Sequence, residues 1–185
     1  MPGSSDPIVA AIAEATLAAE LDGVRIVGID GPSGSGKSTL AVPLARALDA
    51  PLIPVDDFVS WNDFAGWWPR FEQQVLDPLF DGRDVRYQQR DWTDWTGDTL
   101  GPWRTVPWAP VVVVEGVTCT RAAISSRLAC RVWVEAPPAD RLRRGLQRDG
   151  QEHRGLWERW MREEASFFAS DGAAGRADFR VSGIR

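Results

Sequence analysis

Residues 31–38 read GPSGSGKS and match the pattern G-x-x-x-x-G-K-[ST] at every fixed position. The preceding run, VRIVGID, is short, apolar and β-branched, which is typical of a buried strand, and the following run has helical spacing. Glycines between a strand and a helix let the backbone curl so that its N–H groups point at phosphate oxygens. The stretch therefore predicts a phosphate-binding loop (P-loop) inside a strand–loop–helix unit.

The loop contains Lys37, the only lysine of the chain, whereas all its other Lys/Arg positions are arginine. A lysine ammonium is a compact charge that can reach the β- and γ-phosphates from within the loop, and a guanidinium is a larger planar fork. The Ser38 hydroxyl can bind Mg²⁺, and the helix that follows directs its positive end at the phosphates. The predicted phosphate-binding residues are Gly31, Ser33, Gly34, Ser35, Gly36, Lys37, Ser38 and Thr39.

Strand and helix signals alternate along the chain, and the strand signals are continuous apolar runs. This pattern predicts one α/β domain over residues 1–185: a three-layer α/β/α sandwich with a mainly parallel central sheet. A helical period over 68–80 is interrupted near Pro78, and we expect loops over 83–108 with one short strand near Val85. Strands are predicted at 24–30, 51–55, 111–114, 130–136 and 177–181, and helices at 8–21, 38–50, 121–128, 138–148 and 156–168.

Acidic residues follow two of the predicted strands directly. Asp56 and Asp57 come after 51–55, and Glu115 comes after VVVV. The carboxyl ends of parallel strands lie beside a P-loop, so a carboxylate there can take a proton from a hydroxyl or hold Mg²⁺. The alternatives are a helix cap or solvated turn for the aspartates and a structural hydrogen bond for Glu115.

Residues 141–155 read RLRRGLQRDGQEHRG and contain five arginines, partly balanced by Asp149 and Glu152. The glycines in this segment indicate a mobile element, so we predict an arginine-bearing lid at about 141–156 that closes over a bound nucleotide and excludes water. The alternative is a solvated helix face with arginine–acid pairs.

Composition excludes several other classes of protein. A net charge of −5 argues against binding nucleic acid through its phosphates, and a single histidine excludes a histidine dyad. No apolar run is long enough for a membrane span, and the first residues lack a basic leader. Cys119 and Cys130 form no CxxC pair and are typical of buried thiols in a reducing compartment. We expect a cytoplasmic protein that binds a small molecule and neither nucleic acid nor membrane, with a homo-oligomer left open.

Four motifs together resemble a known family: GIDGPSGSGKSTLA, PVDDF, VVVVEGV and RLRRGLQRDGQEHRG. Their order and spacing over about residues 24–181 are similar to the P-loop kinases of the uridine kinase, pantothenate kinase and phosphoribulokinase group. The resemblance implies transfer of the γ-phosphoryl group of ATP, with Mg²⁺, to a hydroxyl of a nucleoside, a sugar or a pantothenate-like alcohol.

The resemblance also implies roles for individual residues. Asp56 would be the general base that takes the proton of the acceptor hydroxyl, and it could also hold Mg²⁺. Glu115 would organise Mg²⁺ or the acceptor. Arg144 and Arg148, with Arg141, would lie near the phosphates, and Arg154 would belong to the far end of the lid.

The acceptor region, about 56–108, departs from the uridine kinase pattern. DVRYQQRDW keeps Tyr87 but has Gln88 where uridine kinases have an acid, no histidine follows, and seven of the ten tryptophans lie between Trp61 and Trp108. Weaker candidates for binding the acceptor are Asp57, Arg86, Tyr87, Arg90, Trp92 and Trp95. Two other functions remain open: a nucleoside-monophosphate kinase that uses Arg70, Arg86 or Arg90, and an ATP-binding regulatory module that transfers nothing.

Overall fold

The computed structural model describes residues 6–93 and 97–183. Within these residues the strands, in chain order, are β1 (Arg25–Asp30), β2 (Leu52–Pro54), β3 (Val85–Arg90), β4 (Leu100–Val106), β5 (Val111–Glu115), β6 (Cys130–Glu135) and β7 (Phe179–Ser182). The helices are α1 (Pro7–Ala18), α2 (Lys37–Ala47), α3 (Trp68–Phe71), α4 (Asp77–Phe80), α5 (Ala122–Ser125), α6 (Pro138–Asp149), α7 (Arg154–Asp171) and α8 (Ala173–Arg176).

Five strands form a parallel sheet in the order β2-β5-β1-β6-β7, which confirms the predicted parallel sheet. Alternate residues of β1 and β5 face opposite sides: Ile26 and Val112 belong to one buried cluster, and Val27 and Val113 to the other. Helices α1 and α2 cover the Val27 side, while α3, α5, α7 and the β3–β4 pair cover the Ile26 side. Because both faces are covered, all five residues of β5 are buried.

Helix α1 begins at Pro7, one residue before the predicted start, and ends at Ala18 rather than at residue 21. The Asp6 side chain accepts a hydrogen bond of 3.0 Å from the Ile8 N–H, and Pro7 takes the first helical position, where no donor is lost.

The structure confirms the strand expected near Val85, but it also contains a second strand, β4, where only loops were expected. β3 and β4 form an antiparallel hairpin that pairs Val85 with Val106 and Tyr87 with Arg104. Val85 and Tyr87 are buried while Arg86 between them is exposed, so burial alternates along the start of β3 as expected for a strand. The alternation is hard to recognise in the sequence because polar residues occupy both inward-facing and outward-facing positions.

The helical segment at 68–80 continues through Pro78 to Phe80, with a wider π turn at Glu72–Leu76 directly before Asp77. Proline has no N–H and cannot form the regular helical bond to the residue four positions earlier, and a π turn accommodates that loss without ending the helix. The predicted interruption is therefore a change of helical type rather than a break.

The segment predicted as a lid comprises the second half of α6, a 3₁₀ turn at Gln151–His153 and the start of α7. Gly145 packs against the indole of Trp157, since a Cβ there would lie 2.3 Å from that ring. That the segment moves stays a prediction. Among the described residues, no helix has the length and apolar character needed to cross a membrane.

Candidate active site

The P-loop lies between the end of β1 and the start of α2, in tight contact with β6 and α6. Gly31 has a φ of +135°, and a Cβ there would lie 2.0 Å from the Val134 carbonyl oxygen. Gly34 has a φ of +76°, and a Cβ there would lie 2.8 Å from the Arg141 carbonyl oxygen. Only glycine satisfies both the backbone angle and the close approach, so these positions fix the path of the loop.

Lys37 folds back over the loop that precedes it. Its side chain is largely buried, and Nζ donates to the carbonyl oxygens of Gly31 at 2.9 Å and Pro32 at 3.1 Å. The Ser35 hydroxyl is buried and has no hydrogen-bond partner among the described residues. A curled loop with an enclosed ammonium and an unsatisfied buried hydroxyl fits the phosphates of a nucleotide.

Asp30, the last residue of β1, was not identified from the sequence. It is fully buried, and its carboxylate accepts hydrogen bonds from the backbone N–H groups of Gly31 at 2.6 Å, Thr118 at 2.7 Å and Thr120 at 2.8 Å. Burial raises the pKa of Asp30, and the hydrogen bonds from Thr120 and Gly31 oppose that shift. The residue joins the start of the P-loop to the segment after β5. The feature of the sequence that could have identified Asp30 is an acidic residue at the end of an otherwise apolar strand.

Ser38 and Glu115 meet at the carboxyl ends of the strands, as the sequence predicts for adjacent elements of a parallel sheet. The Ser38 hydroxyl donates to Glu115 Oε1 at 3.0 Å. Burial raises the pKa of Glu115, the nearby Asp56 carboxylate raises it further, and Lys37 lowers it.

This arrangement fits a hard divalent cation. Hydroxyl and carboxylate oxygens are the ligands Mg²⁺ prefers, and a cation near Glu115 and Asp56 would relieve the repulsion between them. Among the described residues, no group of three or more His, Cys, Asp or Glu side chains could hold a metal. Mg²⁺ commonly needs only one or two carboxylates, with water and phosphate oxygens completing its shell.

Asp56 and Asp57 lie together in a 3₁₀ turn after β2, but their environments differ. Asp56 is exposed, and its carboxylate accepts no hydrogen bond from the described residues. The Asp57 carboxylate accepts from the Tyr87 hydroxyl at 2.7 Å and from Gln89 Nε2 at 3.2 Å, and lies 3.5 Å from Arg104 Nη1. Asp56 is therefore free to act on a ligand, while Asp57 is held by the hairpin.

The four predicted lid arginines have different partners. Arg144 Nη1 donates to the Gly34 carbonyl at 3.0 Å, which joins α6 to the P-loop. Arg148 forms an ion pair with Asp149 at 2.6 Å, and this hydrogen bond raises the pKa of the Arg148 guanidinium. Arg141 is buried. Arg154 lies outside the cavity described below and pairs with Glu158 on α7.

Glu164 of α7 is a second buried acid that was not identified from the sequence. Its carboxylate accepts from the Ser33 N–H at 2.7 Å and Trp160 Nε1 at 2.8 Å, and lies 3.2 Å from Arg141 Nη1. The Ser33 hydroxyl also accepts from Trp160 Nε1 at 2.9 Å. A single side chain thus connects the P-loop to both α6 and α7. The signal in the sequence is weak because Glu163 and Glu164 form an ordinary acidic pair.

The weaker acceptor candidates are distributed around the hairpin. Tyr87 is fully buried, and burial together with its bond to Asp57 raises the pKa of its hydroxyl. Arg86 lies over the ring of Trp103, and Arg90 donates to the carbonyl oxygens of Phe58 and Asp98. Trp92 Nε1 donates to the Asp56 carbonyl at 3.0 Å. Trp95 lies outside the described residues.

One cavity of about 560 Å³ brings most of these groups together. Its lining combines P-loop residues, Glu115, Arg144 and Arg148 with Asp56, Asp57 and Trp92 of the acceptor region. Tyr87, Arg86 and Arg90 do not line it. Trp61, Trp157 and Trp160, which were not selected from the sequence, contribute an aromatic wall in which the rings of Trp61 and Trp160 are 5.4 Å apart.

Solved structures share this architecture. The chain matches a structure described as a possible uridine kinase from Bacillus stearothermophilus with a TM-score of 0.67 and 20% identity, over 94% of this chain and 97% of that chain. It matches a protein described as a putative fructose transport system kinase from Silicibacter sp. TM1040 with a TM-score of 0.60 and 23% identity, over 93% and 98%. For shikimate kinase from Acinetobacter baumannii, solved with shikimate, the values are 0.52 and 14%, over 94% and 88%.

No protein-family model matches the chain, and no curated protein does. The structural matches confirm the fold that the motifs imply: the chain has the α/β fold of P-loop kinases, with uridine kinase-like and shikimate kinase-like structures among its neighbours.

Proposed function

We propose that the protein is a kinase that transfers the γ-phosphoryl group of ATP to a hydroxyl group of a small molecule. The observation that carries the proposal is the single cavity lined by Lys37, the Ser38–Glu115 pair and the exposed carboxylate of Asp56. A nucleotide site alone explains the first two features. The unbonded carboxylate in the same cavity is what a phosphoryl acceptor requires.

In the proposed reaction Asp56 takes the proton from the acceptor hydroxyl. The acceptor oxygen forms a bond to the γ-phosphorus while the bond from that phosphorus to the β–γ bridging oxygen breaks. The electron pair of the broken bond stays on the bridging oxygen, which leaves as part of ADP. Trp92 holds the Asp56 backbone through its indole N–H, so the base lies on a supported turn rather than a free loop.

Positive groups that line the same cavity stabilise the charge of the transferring group. When the Lys37 ammonium binds the phosphates, it gives up or shares its hydrogen bonds to the carbonyl oxygens of Gly31 and Pro32. The P-loop N–H groups bind phosphate oxygens as well. Arg144 and Arg148 of α6 border the same space. Mg²⁺ held by Ser38 and Glu115, with Asp56 nearby, would supply further charge neutralisation at the phosphates.

The kinase-named structural neighbours support this proposal at the level of fold. The exposed Asp56 favours a kinase over a regulatory ATP-binding module, which has no use for a base at that position. A cytoplasmic location is proposed on the same grounds as from the sequence, and both cysteines are buried free thiols, which fits a reducing compartment.

The test is an ADP-release screen with ATP and Mg²⁺ over nucleosides, sugars, pantothenate and their phosphates, with mass detection of the phosphorylated product. We expect at least one hydroxyl compound to raise ADP release well above the rate in its absence. Tight ATP binding without stimulation by any acceptor would favour the regulatory module, and selective use of nucleoside monophosphates would favour the monophosphate kinase.

A further inference from the structure

The positive and negative side chains that line the cavity come from different parts of the chain. Its described cations are Lys37, Arg144 and Arg148, all on the P-loop or α6. Lys37 and Arg144 donate to carbonyl groups of the P-loop, and Arg148 is paired with Asp149. The lining residues that come from the acceptor region are Asp56, Asp57, residues 59–61 and Trp92, and we call them the acceptor side. They include carboxylates and indoles and, among the described residues, no cation.

The acceptor region does contain arginines, but each one serves the protein. Arg70 and Arg90 donate to backbone carbonyl oxygens that hold the Asp57–Phe58 turn against the hairpin. Arg104 donates to the Tyr87 hydroxyl and the Leu52 carbonyl, and it lies 3.5 Å from the Asp57 carboxylate. Of the remaining two, Arg83 pairs with Asp81 and Arg86 lies over the Trp103 ring, and both are exposed outside the cavity.

An anionic acceptor would meet unfavourable surroundings on this side. A carboxylate or phosphate placed beside Asp56 would lose water and gain a like-charged neighbour, and the arginines that line the cavity, Arg144 and Arg148, are already bonded to Gly34 and Asp149. Selection against anionic compounds needs no additional element, because the Asp56 carboxylate already repels them.

The same side offers favourable surfaces to an uncharged molecule. Trp92 is 40% exposed and Trp61 is half-buried, so each presents part of an indole to the cavity. Indole faces bind the flat or C–H faces of polar organic molecules, while an adjacent carboxylate accepts their hydroxyl groups.

We infer that the acceptor is a hydroxyl compound without negative charge, bound between the Asp56 carboxylate and the indoles of Trp61 and Trp92. This inference rests on the proposed kinase function and narrows it. It excludes acceptors that are themselves phosphorylated or that carry a carboxylate, and therefore also the nucleoside-monophosphate alternative.

The test uses alcohols matched in shape and different in charge: a hexose, the corresponding uronic acid and the corresponding amino sugar, and a ribonucleoside with its 5′-carboxylate. Phosphorylated product is measured at saturating ATP and Mg²⁺. We expect kcat/KM for the uncharged or amine member of a pair to exceed that of the acid by at least about tenfold. Equal or faster phosphorylation of the acid in a matched pair would overturn the inference.

Two variants test whether the selection by charge arises beside Trp92. Trp92→Arg puts a cation on the acceptor side, and Trp103→Arg puts one at an exposed position outside the cavity. We expect Trp92→Arg to raise the acid-to-uncharged ratio of kcat/KM by about tenfold and Trp103→Arg to leave it unchanged. An unchanged ratio in Trp92→Arg, or an equal change in both variants, contradicts binding beside Trp92.

Failure of the inference differs from failure of the proposed function. If the inferred selection by charge is wrong, the acid of a matched pair is phosphorylated at least as fast as the uncharged alcohol. If the protein is not a kinase, no member of the panel is phosphorylated although ATP binds, and the inference falls with the proposal on which it rests.

Discussion

The two sides of the cavity are built in different ways. The phosphates are bound mainly by the P-loop, one contiguous stretch whose shape follows from glycines at positive φ and whose lysine bonds to its own loop. The acceptor side is assembled from distant residues: Asp57 is held by Tyr87, 30 positions further along the chain, and by Gln89 and Arg104. Local backbone geometry determines the first side, and tertiary contacts determine the second.

This difference separates two chemical tasks. Nucleotide phosphates are alike in every ATP-binding protein, so a short backbone motif suffices to bind them. An acceptor varies between enzymes, and its site depends on which side chains the fold brings to the mouth of the cavity. Variants on the two sides should therefore affect different kinetic parameters.

The largest effect is expected on the acceptor side, at Asp56. Asp56→Asn removes the proposed base while keeping the size of the side chain, so we expect kcat to fall by about 10²- to 10⁴-fold with ATP affinity nearly unchanged. Steady-state kinetics with the true acceptor and direct ATP titration measure the two quantities. Near-normal transfer would show that another group takes the proton.

Asp57→Asn is the matched control, because it changes the neighbouring carboxylate in the same turn. Asp57 accepts from Tyr87 and Gln89, so its replacement should reduce the free energy of unfolding by about 1–3 kcal/mol and affect kcat less than Asp56→Asn does. If both variants lost activity equally, the distinction between a free and a held aspartate would fail.

The next effect is expected on the phosphate side, at Lys37. Lys37→Arg keeps the charge but replaces a compact ammonium, enclosed by the carbonyl groups of Gly31 and Pro32, with a larger fork. We expect a loss of about 10²- to 10³-fold in kcat and weaker ATP binding. Full ATP affinity and turnover in this variant would mean that the single lysine reflects composition rather than a requirement of the loop.

A smaller effect is expected at Glu164, which connects the P-loop to α6 and α7. Glu164→Gln removes the charge opposite buried Arg141 but can still accept from the Ser33 N–H. We expect a loss of about 1–3 kcal/mol in unfolding free energy and a rise in the KM for ATP, with the KM for the acceptor unchanged. Glu163→Gln, one residue away on the same helix, should change neither. A rise in both KM values would indicate general loosening of the fold.

The contrast also explains what the sequence could predict. The strand–loop–helix unit, the parallel arrangement of the sheet and the acids at the ends of β2 and β5 were accessible because each depends on local pattern or on the geometry of parallel sheets. The P-loop prediction needed only the spacing of Gly31, Gly36 and Lys37.

The acceptor side was harder to predict for a physical reason. Tyr87 and Arg90 look like ligands in the sequence, but the fold turns both towards the Asp57–Phe58 turn, where they support the protein. Trp61 and Trp160 are not distinguishable in sequence from the other tryptophans, and only packing places their rings 5.4 Å apart at the cavity. Glu164 acts through residues more than a hundred positions away.

The smallest effect concerns the link between Asp57 and Tyr87, the only tyrosine of the chain. Burial and the neighbouring carboxylate raise the pKa of its hydroxyl, so the folded protein holds this proton more tightly than the unfolded chain does. The stabilisation is fully present below the unfolded pKa of about 10 and is lost as the pH rises through the folded pKa.

Tyrosinate absorbance can follow this group alone, because tryptophan does not titrate in that range. We expect the folded protein to show ionisation shifted above that of the urea-unfolded chain, and Tyr87→Phe to lose less stability between neutral and alkaline pH than the unmodified protein. The Asp57→Asn variant should titrate closer to the unfolded value, since the carboxylate that opposes ionisation is gone. If Tyr87 titrated alike in folded and unfolded protein, the hydroxyl would be open to water, and the acceptor side could not be held by the network described here.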